Sequence, residues 1–283
     1  MTTAALAHNA STKTALIDLL YRLGDDSLII GHRNSEWTGI GPILEEDIAF
    51  SSMAQDKIGH ALAFYTLLHE LGEPDPDTIA YGRGPERFRC CSLVTLDIFG
   101  DGKSAPPAAL SNNPVRDRVV AQGDWAISLV RQFFFSEADA VRMAALEQSA
   151  YEPLAHLARK LRGEIKYHTL HARTLLPRLG RATAESRDRL QSAAAALYPH
   201  ALGMFEPTPH DATLADAGIA PAEPELCDRW QREIAPIMDG SGLVFPPRSS
   251  PVYGGRTGKH LPELTEVLDA LQKVYRLDPT AIW

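Results

Sequence analysis

The stretch Phe50-Ser-Ser-Met53-Ala-Gln-Asp56-Lys57-Ile-Gly-His60-Ala-Leu-Ala-Phe64-Tyr-Thr-Leu67-Leu-His-Glu-Leu71 decides the fold. Phe50, Met53, Phe64, Leu67 and Leu71 recur at spacings of three and four, which puts them on one face of an α-helix. Gly72 follows as a C′ stop. Lys57 and His60 interrupt that apolar seam where two more apolar residues would continue it.

The same interruption recurs in three other segments. Over Thr12–Ile30 the seam runs Leu16, Leu19, Leu23, Asp26, Ile30. Over Pro114–Ser149 it runs Ile127, Val130, Phe134, Glu137, Val141, Ala144. Over Tyr151–Leu179 it runs Leu154, Ala158, Leu161, Ile165, His168, Ala172. A fifth helix is expected over Ala184–Met204, and two more near Glu223–Met238 and Leu261–Leu277. Ser92–Leu96 reads as a short strand or a buried turn. Gly100–Asn113 reads as a surface excursion.

Long helices with short links between the first and second and between the third and fourth predict an all-α antiparallel bundle. The long link between the second and third predicts a crossover, the topology of ferritin-like four-helix bundles. We expect one domain over residues 1–283. Its core bundle spans about 12–181, and the additional C-terminal helices form an extension over about 182–283.

Composition bounds the function. The chain has 283 residues, 45% of them hydrophobic and 23% charged, which excludes a disordered chain. Net charge is −8, from 28 basic and 36 acidic residues. An acidic chain without a basic block is a poor binder of nucleic acid, whose recognition rests on phosphate neutralisation. No uncharged apolar run reaches about 18 residues, so no membrane span is expected. Cys90, Cys91 and Cys227 form no CxxC pair, and the N-terminal Met1–Ser11 lacks a basic and apolar leader, so a cytoplasmic location is expected.

If the four seams are in register, Asp26, Lys57, His60, Glu137 and His168 face one another near mid-height. Ferritin-like di-iron proteins use such a layer. One Glu comes from each of two helices and a Glu-x-x-His from each of the other two. Here the second helix carries Lys57 where that motif has its first carboxylate, and the fourth carries Ile165. Lysine is a cation without an acceptor and repels a metal. The layer reads as a degenerate site of Asp26, Lys57, His60, Glu137, Ile165 and His168. Lys57 is expected to pair with Glu137 or Asp26. The alternative is a metal oxygenase with an unusual sphere of Asp26, Glu137, His60 and His168. Asp56/His60 and Glu164/His168 also stand at i,i+4, as surface pairs within one helix would.

The chain resembles the C subunits of bacterial phenylacetyl-CoA ring 1,2-epoxidases. The likeness rests on Arg22-Leu-Gly-Asp25, Glu36-Trp-Thr-Gly39, Leu44-Glu-Glu-Asp47-Ile-Ala49, Asp56-Lys-Ile-Gly59 and Asp77-Thr-Ile-Ala80. It continues in Arg131-Gln-Phe-Phe134, Glu164-Ile-Lys-Tyr-His168, Tyr253-Gly-Gly-Arg-Thr-Gly258-Lys-His260 and Trp283. The resemblance implies a non-catalytic, structural subunit of a multicomponent monooxygenase in phenylacetate catabolism. Its partners would be a similarly folded di-iron A subunit and the other epoxidase components. It implies no cofactor in this chain: di-iron resides in the partner, and NADPH, FAD and an Fe-S centre serve a separate reductase. His60 and His168 match ligand positions of the A subunit only as remnants.

Overall fold

A computed structural model describes residues 9–99, 114–247 and 249–281, without the side chains of 114–116. Among these residues there are eleven α-helices and no strand. They are α1 Ala10–Ser35, α2 Leu44–Glu70, α3 Pro76–Tyr81, α4 Ser92–Thr95, α5 Pro114–Gln122, α6 Trp125–Leu146, α7 Glu152–Gly180, α8 Ala184–Leu202, α9 Asp211–Asp216, α10 Glu223–Gly240 and α11 Pro262–Leu271.

Local chemistry sets the boundaries. The Asn9 side chain accepts the Thr12 N–H and starts α1. Asp124 does the same for Ala126 at α6, and Thr183 and Ser186 form a reciprocal capping box at α8. Gly72, with φ +96°, follows the end of α2 in a conformation that costs other residues energy.

The four long helices α1, α2, α6 and α7 form the bundle. Gly24 lets α1 lie close on α2, since a Cβ there would stand 2.4 Å from the Tyr65 ring. Near the end of α1, Asn34 donates to Gln132 at 2.8 Å, and beyond it Trp37 Nε1 donates to Ser128 at 2.8 Å. The start of α6 thus meets the end of α1, and the two run antiparallel. The bonds His171–Glu46, His168–Asp56 and His60–Glu164 make α2 and α7 antiparallel too. α2 and α6 therefore run the same way, which requires the crossover expected of a ferritin-like bundle.

The extension covers the α1/α6 side. Trp230 of α10 is fully buried, packs edge-on to Phe134 and donates Nε1 to the Phe134 carbonyl at 3.1 Å. Glu223 accepts from Arg142 at 2.7 and 2.8 Å and from Arg22 at 3.1 Å. Arg256 reaches Asp26 of α1 with both terminal nitrogens, at 2.9 and 2.8 Å.

Of the two readings of Ser92–Leu96, the structure has the buried turn, a single helical one over Ser92–Thr95. The elements differ from expectation in three places. The third long helix is two helices, α5 and α6, broken at Gly123-Asp124, where Asp124 caps a new start. The last helix ends at Leu271, and a 3-10 turn over Tyr275–Leu277 follows. α3 and α9, six residues each, are too short to show a period and were not anticipated. The excursion Gly100–Asn113 lies outside the described residues. None of the helices described is long and apolar enough to cross a membrane.

Candidate functional site

The polar layer is built across α2 and α7, with one group from α6. Lys57 and His60 stand one turn apart on the buried face of α2; Ile165 and His168 do so on α7. The Lys57 side chain is fully buried. Its ammonium pairs with Asp139 of α6, sits 5.2 Å above the Phe135 ring, and stands 3.5 Å from His60 Nδ1.

The two imidazoles stack at 6.2 Å between centroids, 26° from parallel. His60 Nε2 is 2.7 Å from Glu164 and His168 Nε2 is 2.9 Å from Asp56. Burial first, and then the Lys57 ammonium, push both histidines down to about 2. Each ring is therefore neutral, and its short contact is a hydrogen bond from Nε2–H to a carboxylate rather than an ion pair. That network assigns the proton to Nε2 and leaves His60 Nδ1 an acceptor toward Lys57. Glu164 is raised above the usual carboxylate range by burial and by Asp56; Asp56 is raised by burial.

The four-residue sphere of Asp26, Glu137, His60 and His168 is not assembled. Asp26 is closed by Arg256 and by the Cys91 N–H at 2.7 Å. Glu137, 1% exposed, is held by Arg173 Nε at 2.7 Å and by the terminal nitrogen at 2.6 Å. The partner of Lys57 is consequently Asp139, neither Glu137 nor Asp26. The reason is helix geometry. Residues 137 and 139 point about 160° apart at 3.6 residues per turn, so when Glu137 turns to Arg173 of α7, Asp139 turns to Lys57 of α2. Asp26 and Asp139 line a common void of about 10 Å³ with Leu23, Phe135, Ala138, Arg142 and Met204.

The i,i+4 pairs are also exchanged. Asp56 and Glu164 each reach the histidine of the opposite helix rather than their own. Nothing in a single sequence ties Arg173 to Glu137 or Arg256 to Asp26, because each arginine stands on a later turn or loop with no periodic relation to its carboxylate. Among the described residues no group of three or more His, Cys, Asp or Glu is arranged to hold a metal ion.

Comparison with known proteins bears on this geometry. The family described as phenylacetic acid catabolic protein matches residues 1–283. The chain is 28% identical, over 263 residues, to the C subunit of the 1,2-phenylacetyl-CoA epoxidase of Escherichia coli strain K12. That match covers 93% of this chain and 96% of the relative. With a helical bundle of this topology and a match along its whole length, the chain belongs to the phenylacetic acid catabolic protein family.

Proposed function

We propose that the chain is the structural, non-catalytic subunit of a multicomponent phenylacetyl-CoA ring-epoxidase, serving phenylacetate catabolism beside a di-iron subunit. Lys57, His60, Ile165 and His168, with Asp139 against Lys57, are then the relic of a di-iron layer, while Asp26 and Glu137, expected in it from the sequence, are closed off by Arg256 and Arg173. One observation carries this reading: side-chain cations stand against the carboxylates that α1 and α6 would offer to a metal. Lys57 occupies Asp139, Arg256 occupies Asp26 and Arg173 occupies Glu137. Ile165 is 2% exposed and offers only an alkyl group.

Such a donor set does not fit two iron(II) ions. Four positive charges would have to displace three cations already paired with the same carboxylates. The layer instead does mechanical work: buried charge pairs fix the register of α2, α6 and α7, and a rigid bundle is what a neighbouring catalytic site needs for support. The coarser statement, a homologue of an epoxidase component that works with other subunits, rests on the relative's name.

The test is turnover by the assembled enzyme carrying Lys57→Met with Asp139→Leu in this chain. Both charges vanish together, so the bundle keeps a packed layer. Aryl-CoA oxygenation equal to wild type, once assembly is verified, is expected. Lost turnover in an intact assembly would place catalysis in this layer.

A further inference from the structure

We infer that the outer face of α2 and α7 is the surface on which this chain docks another subunit of its oxygenase, an inference that rests on the reading above. Each other long side of the bundle is covered by the chain itself. α8 and α10 pack on α6, and the loop around Arg256, together with α11, packs against α1. Among the described residues no helix packs on the outer face that α2 and α7 share.

That face exposes four large apolar side chains among polar ones. Ile48 is 60%, Leu62 54%, Tyr167 47% and Leu170 60% exposed. Single exposed apolar residues are ordinary, but four large ones on two adjacent helices mark an interaction site. Between them lie Gly59 and Gly163, which the His60–Glu164 bond brings to the same height. A glycine inside a helix is destabilising relative to alanine. Elsewhere in this bundle the structure shows the reason, as with Gly24 beneath Tyr65. At Gly59 and Gly163 an added Cβ would meet nothing within 4 Å. No described residue explains them, whereas a partner helix lying against the face would, because glycine admits close backbone approach.

Charge identifies the kind of partner. α7 carries six Lys or Arg against two Glu in a chain of net charge −8. Lys160, two turns into α7, and Arg178, in its last turn, make no ion pair among the described residues, nor do Glu45 and Glu70 at the two ends of α2. The face thus has a cationic edge along α7 and an anionic one along α2. It fits a helical subunit with an apolar centre, carboxylates over the α7 edge and cations over the α2 edge. Opposed edges of this kind also fix the docking direction, since a reversed partner sets like charges together.

The experiment is light-scattering chromatography and titration of this full chain with the purified di-iron subunit. Wild type is compared with Gly163→Leu, Leu170→Arg and, on a distant surface, Val244→Arg. Gly163→Leu places a better helix former in open space, so the isolated variant should melt no lower than wild type. It should nevertheless bind at least roughly 30-fold more weakly, as should Leu170→Arg, the scale of an interface hot spot. Val244→Arg should bind as wild type. If wild type forms the heteromer and both face variants bind like it, the face is misassigned and the subunit reading stands. If wild type forms no heteromer, that reading fails and the face with it. If the chain alone is a dimer that Leu170→Arg dissolves, the face belongs to a second copy, and the assignment to another subunit is overturned.

Discussion

Lys57 and Asp139 hold each other inside an apolar bundle, and the value of that pair lies in its completeness. Truncating Lys57 to Met leaves a buried carboxylate without its cation, a loss of about 3–5 kcal/mol. Urea unfolding of Lys57→Met should show that loss, and adding Asp139→Leu should recover most of it. A single variant as stable as wild type would mean that the ammonium is not buried. The two histidines make a second prediction at this scale. Their folded pKa of about 2 lies below the 6.5 of a free imidazole. Between those values the unfolded chain binds protons that the folded chain refuses. Their contribution is complete above pH 6.5 and is lost as pH falls, by about 1.4 kcal/mol per pH unit for each histidine. Asp56 and Glu164, raised by burial, take up protons at lower pH and blunt the slope there. Unfolding free energies at pH 7, 6 and 5 should decline, and His168→Gln should roughly halve the part of the slope that the pair contributes. A slope unchanged by that substitution would show that His168 is protonated in the fold.

At the scale of the element, α6 explains why the sequence was only partly legible. Every residue from Ser128 to Ala138 is buried. One side of the helix meets α1 and α2, and the other meets α7, α8 and α10. A seam of period 3.6 singles out one direction, and a helix buried all round has two. Glu137 belongs to the seam that was traced, and Asp139 lies on the opposite one. α2 and α7 keep solvent on one side, and there the periodicity placed Lys57, His60, Ile165 and His168 on the inner faces. The break at Gly123-Asp124 is legible in principle, since Asp before an apolar run is a helix start; the proline at 114 offers a competing start upstream. Asp124→Ala removes the cap and its contact with Arg189. It should cost about 1 kcal/mol, read as a lower urea midpoint. No change would mean that packing alone sets the start of α6.

Across the whole molecule, the crossover topology followed from link lengths alone, because two short links and one long one leave few ways to close four helices. The closing contacts of the extension did not follow. Arg22 and Glu223 are 201 residues apart, and Asp26 and Arg256 are 230 apart; no periodicity connects such positions. These pairs tie both ends of the chain into one core, so we expect bundle and extension to unfold in one transition. Arg256→Ala strands Asp26 without its guanidinium and should lower stability by about 3–5 kcal/mol while keeping that transition single. Two separated transitions in calorimetry would show an extension that folds apart from the bundle.

We propose that side-chain cations have replaced metal in this bundle. The most direct test is the iron content of the isolated full-length chain after anaerobic loading with iron(II) and desalting, with the di-iron subunit treated in parallel. Iron far below one per chain is expected here, and close to two in the di-iron subunit. One or two tightly held irons per chain, lost when His60 or His168 is replaced by alanine, would contradict the replacement.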